Sequence, residues 1–124
     1  MYRLRVLSLK NRNEIAHELA RIGVHPRGVE KLIPKGVGRG IKVRGLQAPA
    51  PHILKETMLS IGGDVGVSYK SLTMRDATTD ALIIGTETHC RRLIENLRAQ
   101  PLNLKELSDN IQKALALSAR GRFR

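Results

Sequence analysis

Two periodicities run through this chain. Tyr2, Leu4 and Val6 alternate with Arg3 and Arg5, a period of two that predicts a strand over residues 2–9. Asn11 followed by Glu14 has the spacing of a helix start, and Ile15, Leu19 and Ile22 then recur at helical intervals up to the stop signal Gly23. Ile41-Lys42-Val43-Arg44 alternates again, as a strand with a basic outer side. Ile53, Leu54, Met58 and Ile61 form the stripe of a second helix, entered through Gln47-Ala48-Pro49-Ala50-Pro51 and ended by Gly62-Gly63. Val65, Val67 and Tyr69 alternate as a third strand. Ala81-Leu82-Ile83-Ile84 is continuous, which predicts a fourth strand covered on both faces.

Thr86 is placed to cap a third helix with Cys90, Leu93, Ile94 and Leu97 inward. Asn103 with Glu106 opens a fourth, with Leu104, Leu107, Ile111, Ala114 and Leu115 on one side. Between these elements, His25-Pro26 reads as a helix breaker. Residues 28–33 read equally as a short helix or a strand, and Pro34 to Gly40 has the composition of a flexible loop. The sum is α/β: a single compact domain over residues 1–117, with a mixed sheet of about four strands and about four helices packed on it. Residues 118–124 form a basic tail or linker.

Composition narrows the function. Tyr2, Tyr69 and Phe123 are the three aromatics, so the core is aliphatic and base-stacking platforms are scarce. The formal charge is +11, and the first fifty residues carry eleven Lys/Arg against three Asp/Glu. Such a basic segment suits either a polyanion such as nucleic acid or an acidic face of a partner protein. Within it, Lys35, Arg39, Lys42 and Arg44 surround the glycines at 36, 38 and 40 and are the anion-binding candidates. The spacing is neither that of a phosphate-binding loop before a helix nor that of a dinucleotide fingerprint. An Arg-Gly-Arg unit in the tail, at 120–122, reads as an RNA contact or as linker.

No catalytic set is visible. His17, His25, His52 and His89 are scattered, without the pairing of a metal site. Cys90 falls on the inward stripe of its helix, as a structural cysteine does. Asp64 and Asp80 stand at strand starts, where carboxylates bind neighbouring backbone N–H groups. No cofactor is implied. One cysteine, no apolar run near the ~20 residues of a membrane helix and no signal-peptide pattern at the N-terminus set the expectation of a cytoplasmic protein that does not enter a membrane.

One set of motifs resembles a known family. Ile53-Leu54-Lys55-Glu56, Leu59-Ser60-Ile61-Gly62-Gly63-Asp64, Thr79-Asp80 through Gly85-Thr86, Arg92-Leu93-Ile94, Leu97-Arg98, Gln100-Pro101 and the Leu104/Leu107 helix resemble the small N-terminal domain ahead of the barrel in some dihydropteroate synthases. Gly121-Arg122-Phe123-Arg124 looks like the lead-in to that barrel. The family joins a pterin pyrophosphate to para-aminobenzoate in folate synthesis, with its catalytic residues in the barrel. The barrel's Asn-x-Thr-Pro-Asp-Ser-Phe strand is absent, so no catalytic residue carries over. The resemblance implies a non-catalytic accessory domain. It would pack on a synthase-type barrel, or pair with a second copy of itself, through the helix at 53–61 or that at 104–115. A stand-alone basic nucleic-acid-binding module is the alternative.

Overall fold

The computed structural model describes residues 1–68, 78–100 and 104–119. It divides into two units, Met1–Val37 and Gly38–Arg124.

The first unit is a helix pair. Residues 1–10 take no regular structure, and Tyr2, Leu4 and Val6 are exposed, so the strand expected at 2–9 does not form. Alternation makes a strand only where a neighbouring strand completes its hydrogen bonds. Helix α1 (Arg12–Ile22) begins as its sequence indicates. The Asn11 side chain accepts from the Glu14 N–H at 2.9 Å, and Gly23 closes the helix at φ 94°. Helix α2 (Pro26–Gly36) replaces both the breaker and much of the expected loop. The His25 ring accepts from the Arg27 N–H at 3.1 Å, and Pro26 sits in the first turn, where no helical partner for its N–H is needed. Gly36 lies against Ile15: a methyl at Gly36 would come within 3.1 Å of Ile15 Cδ1.

The second unit holds the sheet. Its elements are β1 (Gly38–Leu46), α3 (Ala50–Ile61), β2 (Asp64–Val67), β3 (Thr79–Thr86), α4 (Glu87–Arg98) and α5 (Lys105–Ala119). The strand order is β1-β3-β2, and both pairings are antiparallel. The chain is thus α/β, with five helices and a three-stranded antiparallel sheet among the described residues, in place of about four helices on a mixed sheet of four strands. β1 and β2 run parallel to each other, are joined through α3 and receive β3 between them, a split βαβ arrangement.

The helices cover one side of this sheet. Leu54, Met58, Val65, Ile83, Cys90, Leu93 and Leu97 are fully buried there, and Ile111 brings α5 into the same core. The stripes of α3 and α5 are therefore spent largely on the domain's own interior. β3 alternates, with Thr79, Ala81 and Ile83 buried and Asp80, Leu82 and Ile84 outward. Its continuous apolar run is covered on one face, not two.

A bulge sets the end of β1. Val43 pairs with Ala81 and Leu46 with Thr79, so Arg44 and Gly45 together oppose the single residue Asp80. Without the extra residue, strict alternation would turn Leu46 outward; with it, Leu46 joins the core. Gly45 adopts φ +72°, and its N–H donates to Asp80 Oδ1 at 3.1 Å.

Gly45→Ala should therefore cost about 1–2 kcal/mol through its left-handed backbone. Asp80→Ala should cost about 1 kcal/mol through the lost bond. Urea denaturation of each variant checks both values; unchanged midpoints would show that the bulge does not hold Leu46 in place.

Candidate functional site

Two regions merit the description of a site: the junction where β3 passes into α4, and the basic residues around the first strand.

At the junction, local chemistry fixes the geometry. Thr86 Oγ1 accepts from the His89 N–H at 3.2 Å, while the Thr86 N–H donates to His89 Nδ1 at 3.1 Å. This reciprocal cap starts α4. Glu87, in the first turn, places its carboxylate where the helix dipole favours negative charge. That carboxylate is buried and accepts from Arg39 Nη2 at 2.7 Å, with Arg91 3.9 Å from its other oxygen. The Arg39–Glu87 pair ties the start of β1 to the start of α4.

Beside the cap lies a shallow hollow of about 470 Å³, bordered by Arg39, Gly62, Gly63, Asp64, Gly85 and His89. Its glycines suggest a phosphate cradle, but their hydrogen bonds are already spent. The Gly62 and Gly63 N–H groups both donate to the Met58 carbonyl, at 3.1 and 3.0 Å. The glycines serve close packing instead. A methyl on Gly63 would lie 2.6 Å from the Ile84 carbonyl oxygen and 2.7 Å from Met58 Cε, and one on Gly85 would lie 2.6 Å from Met58 Cε. Asp64 is engaged too. Its Oδ1 accepts from the Val65 N–H at 2.7 Å and from Lys55 Nζ at 3.0 Å. The backbone bond, with the Lys55 ammonium second, holds its carboxyl below the ordinary aspartate range.

Cys90 lies in the core below the junction. Burial pushes its thiol up, against the pull of the Arg39 guanidinium, with the Glu87 carboxylate adding to the rise. A protonated, enclosed thiol is a poor nucleophile. Among the described residues, no group of three His, Cys, Asp or Glu side chains comes together to hold a metal ion.

The four basic candidates belong to different elements. Lys35 is in the last turn of α2, in the first unit. Arg39, Lys42 and Arg44 share β1, but Arg39 points to the helix-covered side and bonds Glu87. Lys42 and Arg44 are exposed on the other side. There they stand with the outward carboxylates Asp64 and Asp80. Sequence reasoning found Arg39 and missed its partner, because the two are 48 positions apart; neither periodicity nor motif spacing carries such a contact.

Comparison with known proteins gives the chain a context. It is 36% identical over 101 residues, 82% of its own length, to a probable bifunctional folylpolyglutamate synthase/dihydropteroate synthase from Halobacterium salinarum. It is 26% identical over 105 residues, 85% of its length, to a bifunctional dihydropteroate synthase/dihydropteroate reductase from Helicobacter pylori. The chain spans 12% and 28% of the lengths of these relatives. No family model matches it, and no solved structure does. The relatives point to a folate-pathway, dihydropteroate-synthase context. No helix among the described residues is long and apolar enough to cross a membrane.

Two outcomes follow from this geometry. Gly63→Ala must displace a backbone carbonyl and should cost about 1–3 kcal/mol. Gly66→Ala, whose added methyl meets nothing within 4 Å, should shift stability by no more than about 0.5 kcal/mol. Thermal melts compare the two, and equal losses would refute the packing role of Gly63. Cys90 should resist a thiol-reactive dye at pH 8 in the native protein and react fully in denaturant. Fast labelling of the native protein would show an accessible, reactive thiol and refute the enclosed position of Cys90.

Proposed function

We propose that this chain is a non-catalytic accessory domain of a dihydropteroate-synthase-type protein. The observation that carries the reading is its similarity, over more than four-fifths of its length, to small parts of two much longer synthases. The chemistry of the second unit supports it. At the β3–α4 junction Thr86, His89, Glu87 and Asp64 bond neighbours in the fold, and no nucleophile, base and orienting group converge among the described residues. In this reading a barrel elsewhere binds pterin and aminobenzoate, and the domain contributes docking or assembly.

The nucleic-acid reading has less support. Lys42 and Arg44 share their surface with Asp64 and Asp80, so that face has no strong positive potential to attract phosphates. The aliphatic composition also leaves few stacking surfaces.

The purified chain should form no dihydropteroate from pterin pyrophosphate and para-aminobenzoate. An antibody raised against it should precipitate dihydropteroate synthase activity from cells of the source organism. Turnover by the chain alone overturns the non-catalytic reading, and a precipitate without activity overturns the association.

A further inference from the structure

Helix α2 of the first unit carries an uncompensated row of positive charge. Arg27, Lys31 and Lys35 recur every four residues, which sets them on one side of the helix, and all three are exposed. Among the described residues none of them forms an ion pair. The row runs against local preference twice. Like charges four residues apart on a helix repel. Arg27 also stands in the first turn, where the helix dipole favours an acid, and that turn has none. Residues 1–37 hold eight Lys/Arg against three glutamates. Two of the glutamates are engaged on α1: Glu14 accepts from the Lys10 N–H, and Glu18 lies 3.9 Å from Arg21. Glu30 alone remains on α2, against the three cations.

The other side of α2 is taken. Val29 and Ile33 are half-buried, and Gly36 lies against Ile15 of α1. By the helical repeat these three fall opposite the row. Leu32, 40% exposed, is the large apolar side chain that α2 leaves at the surface. One leucine is too little for a helix seated in a membrane surface, which buries a whole apolar face. It is also too little for a protein interface, which is anchored by packed apolar or aromatic side chains. A polar and strongly positive surface is instead the character of a DNA contact. The dimensions agree with that. Residues 27 to 35 span about 12 Å along the axis, and a helix with its side chains is about 10–12 Å across. The major groove of B-DNA is about 12 Å wide and admits a helix, whereas that of an RNA duplex is too narrow. Neither α1 nor α2 holds an aromatic on which a single strand could stack.

We infer that α2 enters the major groove of duplex DNA with this row leading, held by phosphates and largely indifferent to sequence. Phosphates on the groove walls neutralise the three cations and relieve their mutual repulsion. The inference rests on the row of α2 and not on the folate-pathway relatives, so it is tested apart from the accessory role.

Fluorescence anisotropy of a short labelled DNA duplex with the full chain tests it, between about 50 and 200 mM salt. The wild type should bind, and log affinity should fall linearly with log salt. Arg27→Gln, Lys31→Gln and Lys35→Gln should each flatten that slope by about 0.9, and the triple variant by about 2–3. Circular dichroism should stay unchanged, because the three side chains are exposed. Lys42→Gln combined with Arg44→Gln, on β1, should keep the wild-type slope. An RNA duplex of the same sequence should bind at least about tenfold more weakly. No binding at the lower salt overturns the inference. So does an undiminished slope in the triple variant, or an equal loss in the β1 variant, because the contact would then be diffuse or elsewhere. Polyglutamate or phosphatidylserine vesicles that displace the duplex as well as unlabelled DNA does would also overturn it, and would assign the row to an acidic protein or a lipid surface.

Discussion

The second unit depends on one strand. β3 is the ladder partner of both β1 and β2, so neither outer strand has a place in the sheet without it. Its inward side chains, Ala81 and Ile83, meet the helix layer, and its last residue, Thr86, caps α4. Strand pairing, core burial and helix initiation thus share eight residues. The layers can approach because Gly63 and Gly85 leave room for Met58. A side chain at Gly63 would push α3 away from the sheet and loosen contacts that Leu54 and Met58 make with Val65 and Ile83.

Local chemistry was legible in the sequence; contacts between distant residues were not. Asn11, Thr86, Gly23 and the Gly62-Gly63 pair mark helix ends through bonds that span three to five residues, and the structure places the ends there. The strand expected at 2–9 failed for the complementary reason, since its pattern was right but no partner edge completes it. His25-Pro26 was misread because proline obstructs a helix interior but suits its first turn. With His25 as cap, the signal for α2 was present. The bulge at Arg44-Gly45 was hidden, because only the register against β3 reveals that two residues oppose one.

Of the basic candidates, the residue types were legible and their grouping was not. Alternation along β1 sends Arg39 to one side and Lys42 and Arg44 to the other, so a charge count over a segment overstates the field at any one surface. Arg39 is best understood through Glu87. A buried carboxylate requires a cation, and removing either partner would leave an uncompensated charge near the core. The ion pair engages Arg39 Nη2, while its buried Nε has no hydrogen-bond partner among the described residues.

The run Ala81-Leu82-Ile83-Ile84 carries the remaining information. Its hydrophobicity is that of a strand covered on both faces, and the helices cover only one. An ordinary half-exposed antiparallel strand would place polar side chains at 82 and 84. Exposed leucine and isoleucine at the centre of a sheet also invite unwanted association, which proteins resist by charging or shortening their edges. Here β2 is short, the outer rows carry Lys42, Arg44 and Asp64, and the apolar centre is retained. The second apolar row of β3, Leu82 and Ile84, is therefore left exposed by a helix layer that packs on the other face alone.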